Sequence, residues 1–138
     1  MLNQKIIAKL LRFAKRKLDE KLKEKLSQEE AIKIIESKIN DLAWEVENEK
    51  KVADNNFELS VAFSSYYTRA KKKMVELANE ITMAHLKLDE IADELKAINI
   101  DISKYKKLSE NIDKKEVIIA EQQEAKKSDE FNINKLYQ

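Results

Sequence analysis

The sequence predicts an all-α fold, a long antiparallel two-helix coiled-coil hairpin formed by one domain over residues 1–138. Two observations carry this prediction. The 138 residues include no glycine, proline or cysteine, and 38% of them are charged. Because glycine and proline end helices and build turns, a chain without them has few places to interrupt a helix. In addition, apolar residues recur every three to four positions, which is the period of one helix face.

The first helix is predicted over residues 2–53 from an apolar stripe. The four-residue steps from Leu18 to Leu22 and Leu26 resemble a stutter, which would unwind a left-handed supercoil locally. Ser27 and Glu30 match a capping box, but a continuous helix is favoured here, and its register stays open over residues 22–32. The stripe consists of Ile7, Leu11, Ala14, Leu18, Leu22, Leu26, Ile32, Ile35, Ile39, Leu42 and Val46.

A turn is predicted over residues 54–62, because Asp54, Asn55 and Asn56 tolerate left-handed backbone angles and bond their own backbone. Ser60, Ser64 or Ser65 would then cap the returning helix. The alternative is one continuous helix that dimerises. A hairpin is favoured because the apolar stripe loses its phase through residues 53–66.

The second helix is predicted over residues 63–131, followed by a short tail. Its apolar residues alternate three- and four-residue steps for about five heptads, which is typical of a coiled-coil seam. We expect this helix to extend beyond the start of the first by about ten to twenty residues, from the unequal lengths. The seam consists of Ala70, Met74, Leu77, Ile81, Ala84, Leu88, Ile91, Leu95, Ile98, Ile102 and Tyr105.

Residues suited to catalysis are few, and we predict that the chain is not an enzyme and has neither a metal nor a cofactor. The one histidine, His85, has no Glu-x-x-His partner, and there is no cysteine. A general base also needs a pocket, which a two-helix coiled coil does not offer. We therefore interpret His85 as a residue at the rim of the coiled coil.

Charge and exposed apolar residues point to partners instead. The formal net charge is +1, yet residues 5–25 contain nine basic and three acidic side chains. Aromatic residues crowd the turn, where they either form a docking surface or fold over the turn as a plug. Val117, Ile118, Ile119 and Phe131 lie where the second helix is expected to be unpaired, and apolar residues there need a partner.

The C-terminal third resembles the FliJ/YscO family, the stalk proteins of bacterial type III export systems, flagellar and injectisome. The likeness rests on Tyr105-x-x-Leu108-x-Glu110, Ala120-Glu121 and Lys126-Lys127-x-Asp129-Glu130-Phe131. The length, the two unequal helices and the central turn are also similar. The resemblance implies a role like that of the γ subunit of rotary ATPases, in which the paired termini insert into a hexameric export ATPase and activate it.

The resemblance also implies the partners. These are the export ATPase, the cytoplasmic domain of a membrane export gate and, for some members, export chaperones, with no nucleic acid and no direct membrane insertion. The protein would be cytoplasmic and peripherally associated with the export apparatus. Gate contact is expected within residues 44–77, at Phe63, Tyr66, Tyr67 and Ala70, although Lys73 and Leu77 depart from the small and polar types expected there. Contact with the ATPase pore is expected at Lys9, Arg12, Arg16, Ile118, Ile119, Lys126, Lys127 and Phe131.

Three other classes of function compete with the stalk hypothesis. A coiled-coil export chaperone or adaptor would bind other helices without activating an ATPase. A peripheral membrane protein would use the basic, amphipathic segment of residues 6–25 as an interfacial helix. A structural homodimer is the third.

Overall fold

A computed structural model describes residues 3–136, which form two helices. Helix α1 spans Gln4–Ala53, with 50 residues, and helix α2 spans Phe57–Leu136, with 80 residues. The two helices pack against each other, and the described residues contain no strand. The two helices are antiparallel: Gln4, near the start of α1, bonds Ser109, and the later residue Gln28 bonds the earlier residue Ala84. The predicted antiparallel helical hairpin is therefore confirmed.

The turn between the helices is shorter than predicted. Its residues, 54–56, continue the backbone hydrogen bonding of α1, with the amides of Asn55 and Asn56 donating to the carbonyls of Val52 and Ala53. The Asn56 side-chain oxygen then accepts from the amide of Glu58 at 2.9 Å and from that of Leu59 at 3.4 Å. This arrangement is an N-cap. It starts α2 at Phe57, six residues before the predicted position.

Three further expectations about the helix ends need correction. Ser60, Ser64 and Ser65 lie inside α2 and so cannot cap it. No described residue has a positive φ, so the turn does not use the left-handed backbone that its Asp and Asn residues would tolerate. The predicted tail after residue 131 is helical as far as Leu136. The predicted start of the first helix at residue 2 lies outside the described residues.

The seam of α2 lies where the sequence predicts it. Every residue of the predicted series from Ala70 to Tyr105 is buried or half-buried, and its neighbours on the chain are exposed. Ile91 is the most completely enclosed of these side chains, at 1% exposure. Beyond Tyr105 the seam continues through Ser109 and Ile112, while Leu108 turns outward. The heptad pattern alone therefore located this face of the coiled coil.

The seam of α1 differs from the prediction between Leu18 and Ile32. Lys21, Lys25 and Gln28 are half-buried, and they keep the alternating three- and four-residue steps unbroken from Ile7 to Val46. Leu22 and Leu26 lie outside the seam and are 42% and 66% exposed. The predicted stutter is therefore absent, because regular supercoiling places the residue before each leucine against α2. We call Lys21, Lys25 and Gln28 the polar seam.

The contacts divide the chain into two compact units, each with segments of both helices. The turn unit is Glu20–Leu95, and the terminal unit consists of residues 3–19 and 96–136 of the described chain. The two units carry opposite net charge. The turn unit has 12 basic and 17 acidic side chains, whereas the segments of the terminal unit have 15 basic and 9 acidic ones. Each unit can thus attract a different kind of charged partner.

Candidate interaction surfaces

The terminal unit has a hydrogen-bonded closure where α1 begins. The Gln4 side-chain amide donates to the Ser109 carbonyl at 2.8 Å and to Asp113 Oδ1 at 2.6 Å. The Ser109 hydroxyl donates back to Gln4 Oε1 at 3.0 Å. These three bonds join the first turn of α1 to α2. Sequence analysis missed this cluster because glutamine and serine carry no apolar signal, although both fall on the extrapolated heptad positions.

Beyond this closure, residues 114–136 of α2 are all exposed. We call this segment the α2 extension. It is longer than the predicted ten to twenty residues, and no described residue of α1 covers it. Most helical stability in proteins comes from packing of an apolar face, and the extension has no such packing against α1. A partner that covers the extension would therefore also stabilise its helix.

The apolar residues of the extension do not form a single stripe. Val117, Ile118, Ile119 and Ala120 follow one another directly, and successive residues on a helix point about 100° apart. Together they surround the helix with apolar surface, and the three larger side chains are each more than half exposed. A helix that is apolar on all sides is normally buried on all sides. This apolar girdle fits a partner that encloses the helix better than one that lies along a single face.

The residues predicted to contact an ATPase pore are all exposed. They form two groups that follow one another along the terminal unit. Lys9, Arg12 and Arg16 lie on α1 where it is paired with α2, and the others lie on the extension. Phe13 and Phe131 are exposed as well, each beneath an ammonium group, that of Lys17 at 4.7 Å and that of Lys135 at 5.9 Å from the ring centroid.

Ion pairs surround the polar seam in the turn unit. The Lys21 ammonium contacts the carboxylates of Glu94 on α2 and Glu24 on α1, the latter at 2.9 Å. The Lys87 ammonium lies 4.0 Å from Glu24. The hydrogen bonds to Glu94 and then Glu24 raise the pKa of Lys21, and the bond from Lys21 lowers the pKa of Glu24. Gln28 adds a bond from its side-chain amide to the Ala84 carbonyl at 2.9 Å.

Aromatic and aliphatic side chains are exposed around the turn. Phe57 is 84% exposed, and Val52 and Val61 are more than half exposed. The Phe63 ring packs near those of Tyr66 and Tyr67, with centroids 6.1 and 5.7 Å away. The ring cluster is thus packed together, while the residues nearest the turn are open to solvent. The rings of Phe63, Tyr66 and Tyr67 pack along α2, and Phe57 next to the turn stays exposed, so the aromatic residues do not all fold over the turn as a plug.

Tyr66 borders a shallow cavity of about 290 Å³ beside the turn, together with Glu49, Val52, Leu59 and Arg69. Its hydroxyl oxygen is buried and has no hydrogen-bond partner among the described residues. Desolvation raises the pKa of Tyr66, and the carboxylates of Glu45 and Glu49 raise it further.

The four residues expected to contact an export gate are not equally accessible. Tyr67 is exposed, Phe63 and Tyr66 are half-buried, and Ala70 is 5% exposed within the seam. Leu77, which departs from the family pattern, is also a buried seam residue. The structure thus places Ala70 in the packing between the helices, so a contact surface near the turn has to be built from the aromatic residues without it.

The remaining candidate chemistry is sparse. His85 is exposed on α2. Within residues 3–136, no cluster of three or more His, Asp or Glu side chains is arranged to hold a metal ion. Neither described helix contains a stretch that is both long and apolar enough to span a membrane.

Comparison with known protein families, with curated proteins and with solved structures finds no match to this chain.

Proposed function

We propose that the protein is the central stalk of a bacterial type III export apparatus. In this proposal the terminal unit inserts into the hexameric export ATPase and activates it, and the turn unit contacts the export gate. Hydrolysis belongs to the ATPase. The stalk would act by binding some conformations of the ring more tightly than others, which shifts their populations.

The observation that carries the proposal is the apolar girdle on the uncovered α2 extension. Val117–Ala120 presents apolar surface on every side of a helix that no described residue of α1 covers. A ring encloses a helix that passes through its centre, and so it can cover all sides at once. A flat docking surface or a single partner helix would leave part of the girdle in water.

Charge gives the proposal a second support. The paired part of the terminal unit, residues 3–19 and 96–113, carries ten basic and four acidic side chains. An acidic ring lining would attract this surface without close interlocking, which suits contacts that must be remade as ring conformations change. The resemblance of residues 105–131 to the export-stalk family agrees with this reading.

The decisive experiment adds the purified protein to the hexameric export ATPase of the same organism and measures the rate of ATP hydrolysis and ring assembly. We expect stimulation to saturate near one chain per hexamer. Deleting residues 116–138 should abolish stimulation, because it removes the girdle. Circular dichroism must show that the truncated chain keeps its paired helices. Full stimulation by the truncated chain contradicts insertion of the extension.

A matched pair of variants tests whether stimulation requires the girdle itself or only exposed apolar surface. Val117, Ile118 and Ile119 replaced together by serine should lose stimulation. The same replacement of Val52, Phe57 and Val61, which are exposed around the turn, should retain it. Equal loss in both variants would contradict a specific role for the extension, since both sets are comparably exposed and only one would enter the ring.

The second candidate is an export chaperone or adaptor that binds a partner helix without activating an ATPase. It is favoured by the same exposed apolar residues, because Phe131, Ile133 and Leu136 lie on the extension beyond the girdle. Binding of export substrates at 1:1 stoichiometry, together with no effect on hydrolysis, would establish this alternative.

A further inference from the structure

Two sets of residues have the spacing needed to connect Leu18 to Ile32 along the seam of α1. The polar seam takes steps of three, four, three and four residues through Lys21, Lys25 and Gln28. The second route takes steps of four, four, three and three through Leu22, Leu26 and Glu29. Both routes cover the same 14 residues, so Leu18 and Ile32 keep their places whichever route is used.

The polar route leaves apolar surface exposed that the leucine route would bury. It leaves Leu22 and Leu26 outside the seam, 42% and 66% exposed. The leucine route would bury both side chains against α2, and burial of apolar surface is the main favourable term in coiled-coil packing. In return it would place the Glu29 carboxyl group in the seam. It would also require local unwinding followed by overwinding of the supercoil.

The polar route is held by contacts that the leucine route would break. The Lys21 ammonium pairs with Glu94, Glu24 lies 4.0 Å from the Lys87 ammonium, and Gln28 bonds the Ala84 carbonyl. Three of the four side chains in these two ion pairs, all except Lys21, are more than 40% exposed. Exposed ion pairs stabilise little and are screened by salt. Salt therefore weakens the contacts that hold the polar route, whereas the apolar burial offered by the leucine route does not depend on charge.

We propose that residues 19–31 of α1 form a two-state segment, which rotates about its own axis by roughly one residue. The polar seam faces α2 in one state, and Leu22 and Leu26 face it in the other. Residues 20–31 of the segment belong to the turn unit, and the seam outside Leu18 and Ile32 is the same in both states. Cross-helix ion pairs select the polar state, so salt is the variable that moves the equilibrium.

The test follows leucine methyl groups by NMR in the full chain. A neutral gadolinium chelate reports the solvent exposure of each methyl through relaxation enhancement, and Leu86, 52% exposed on α2, serves as the internal reference. At low salt we expect Leu26 to be enhanced at least as strongly as Leu86. In 1 M NaCl the enhancements of Leu22 and Leu26 should fall by about threefold relative to Leu86, and their methyls should show new cross-peaks to Ile91 or Leu88.

Two variants complete the test. The double variant Glu24→Gln, Glu94→Gln removes the charge partners of Lys21, so it should give the high-salt result at low salt. The double variant Lys21→Leu, Lys25→Leu makes the polar route apolar, so Leu22 and Leu26 should stay exposed at every salt concentration. The proposal is overturned if the ratio to Leu86 stays constant with salt in the unmodified chain. It is equally overturned if the glutamine variant, shown to be helical by circular dichroism, keeps both leucines exposed at low salt.

Discussion

The buried hydroxyl group of Tyr66 affects both the stability of the region beside the turn and the pKa of the residue. Its ring centroid lies 6.1 Å from that of Phe63, and its buried hydroxyl oxygen has no hydrogen-bond partner among the described residues. A buried polar group without a partner costs free energy, because it has given up its bonds to water. The same desolvation, together with the carboxylates of Glu45 and Glu49, disfavours the phenolate and raises the pKa.

The substitution Tyr66→Phe tests this account. It keeps the ring and removes the hydroxyl group, so we expect the free energy of unfolding at pH 7 to rise by up to about 1 kcal/mol. Urea unfolding followed by circular dichroism measures the change. A loss of more than that amount would mean that the hydroxyl has a partner in solution.

The pH dependence of stability gives a second readout of the same group. The folded state binds the Tyr66 proton more tightly than the unfolded chain does. The stability that this protonation adds is therefore fully present below pH 10. It is lost as the pH rises through the folded pKa. Urea unfolding between pH 9 and 11 should therefore show a smaller loss of stability in Tyr66→Phe than in the unmodified chain. Equal losses would show that Tyr66 does not carry the shift.

At the scale of the helices, the hairpin depends on a short turn that uses neither glycine nor left-handed backbone. Three residues suffice because the carbonyls at the end of α1 accept bonds from the turn amides, and Asn56 satisfies the first free amides of α2. The sequence predicted a turn at this place from its Asp and Asn residues. It did not reveal which of the candidate caps would be used, because Ser60, Ser64 and Ser65 have equally suitable side chains.

Substitution of the cap tests this arrangement. Asn56→Ala should lower the free energy of unfolding by about 1 kcal/mol, since the amides of Glu58 and Leu59 lose their acceptor. Asn56→Asp should restore most of the stability, because a carboxylate is an equally good cap. Ser60→Ala serves as the control and should change stability by no more than about 0.5 kcal/mol. A larger effect of Ser60→Ala would move the cap to the predicted position.

The seam of α1 shows a limit of pattern reading at this scale. The leucines at 18, 22 and 26 predict an apolar stripe, and the structure instead places Lys21, Lys25 and Gln28 against α2. Hydropathy alone favours the leucines. The regular heptad geometry of the long flanking segments, and the position of Glu94 across the interface, favour the polar residues. Neither influence is visible in a short window of sequence.

At the scale of the molecule, the α2 extension is expected to behave differently from the paired helices. None of its side chains is buried, so its helix is stabilised by little more than the helix propensity of its residues. Amide hydrogens in residues 114–136 should therefore exchange at least about tenfold faster than those in residues 70–112. Hydrogen–deuterium exchange with mass spectrometry measures both segments at once. Equal protection in the free chain would mean that the extension already has a covering partner, such as a second copy.

Deletion of the extension provides the corresponding stability test. Removing residues 114–138 should leave the urea midpoint of the remaining helices unchanged, because no described packing is lost. The far-ultraviolet signal should fall only by the share of the removed helix. A large drop in the midpoint would contradict the separation of the extension from the paired region.

The sequence by itself determined the two long helices, their antiparallel pairing and the seam of α2. Each depends on a strong, repeated signal, namely the absence of glycine and proline and the unbroken heptads from Ala70 to Tyr105. It also placed apolar residues on an unpaired segment. The tertiary structure decided the residues that face α2 between Leu18 and Ile32 and the cap that starts α2. In each case residues of similar local preference compete, and the choice depends on groups that come together only when the two helices pack.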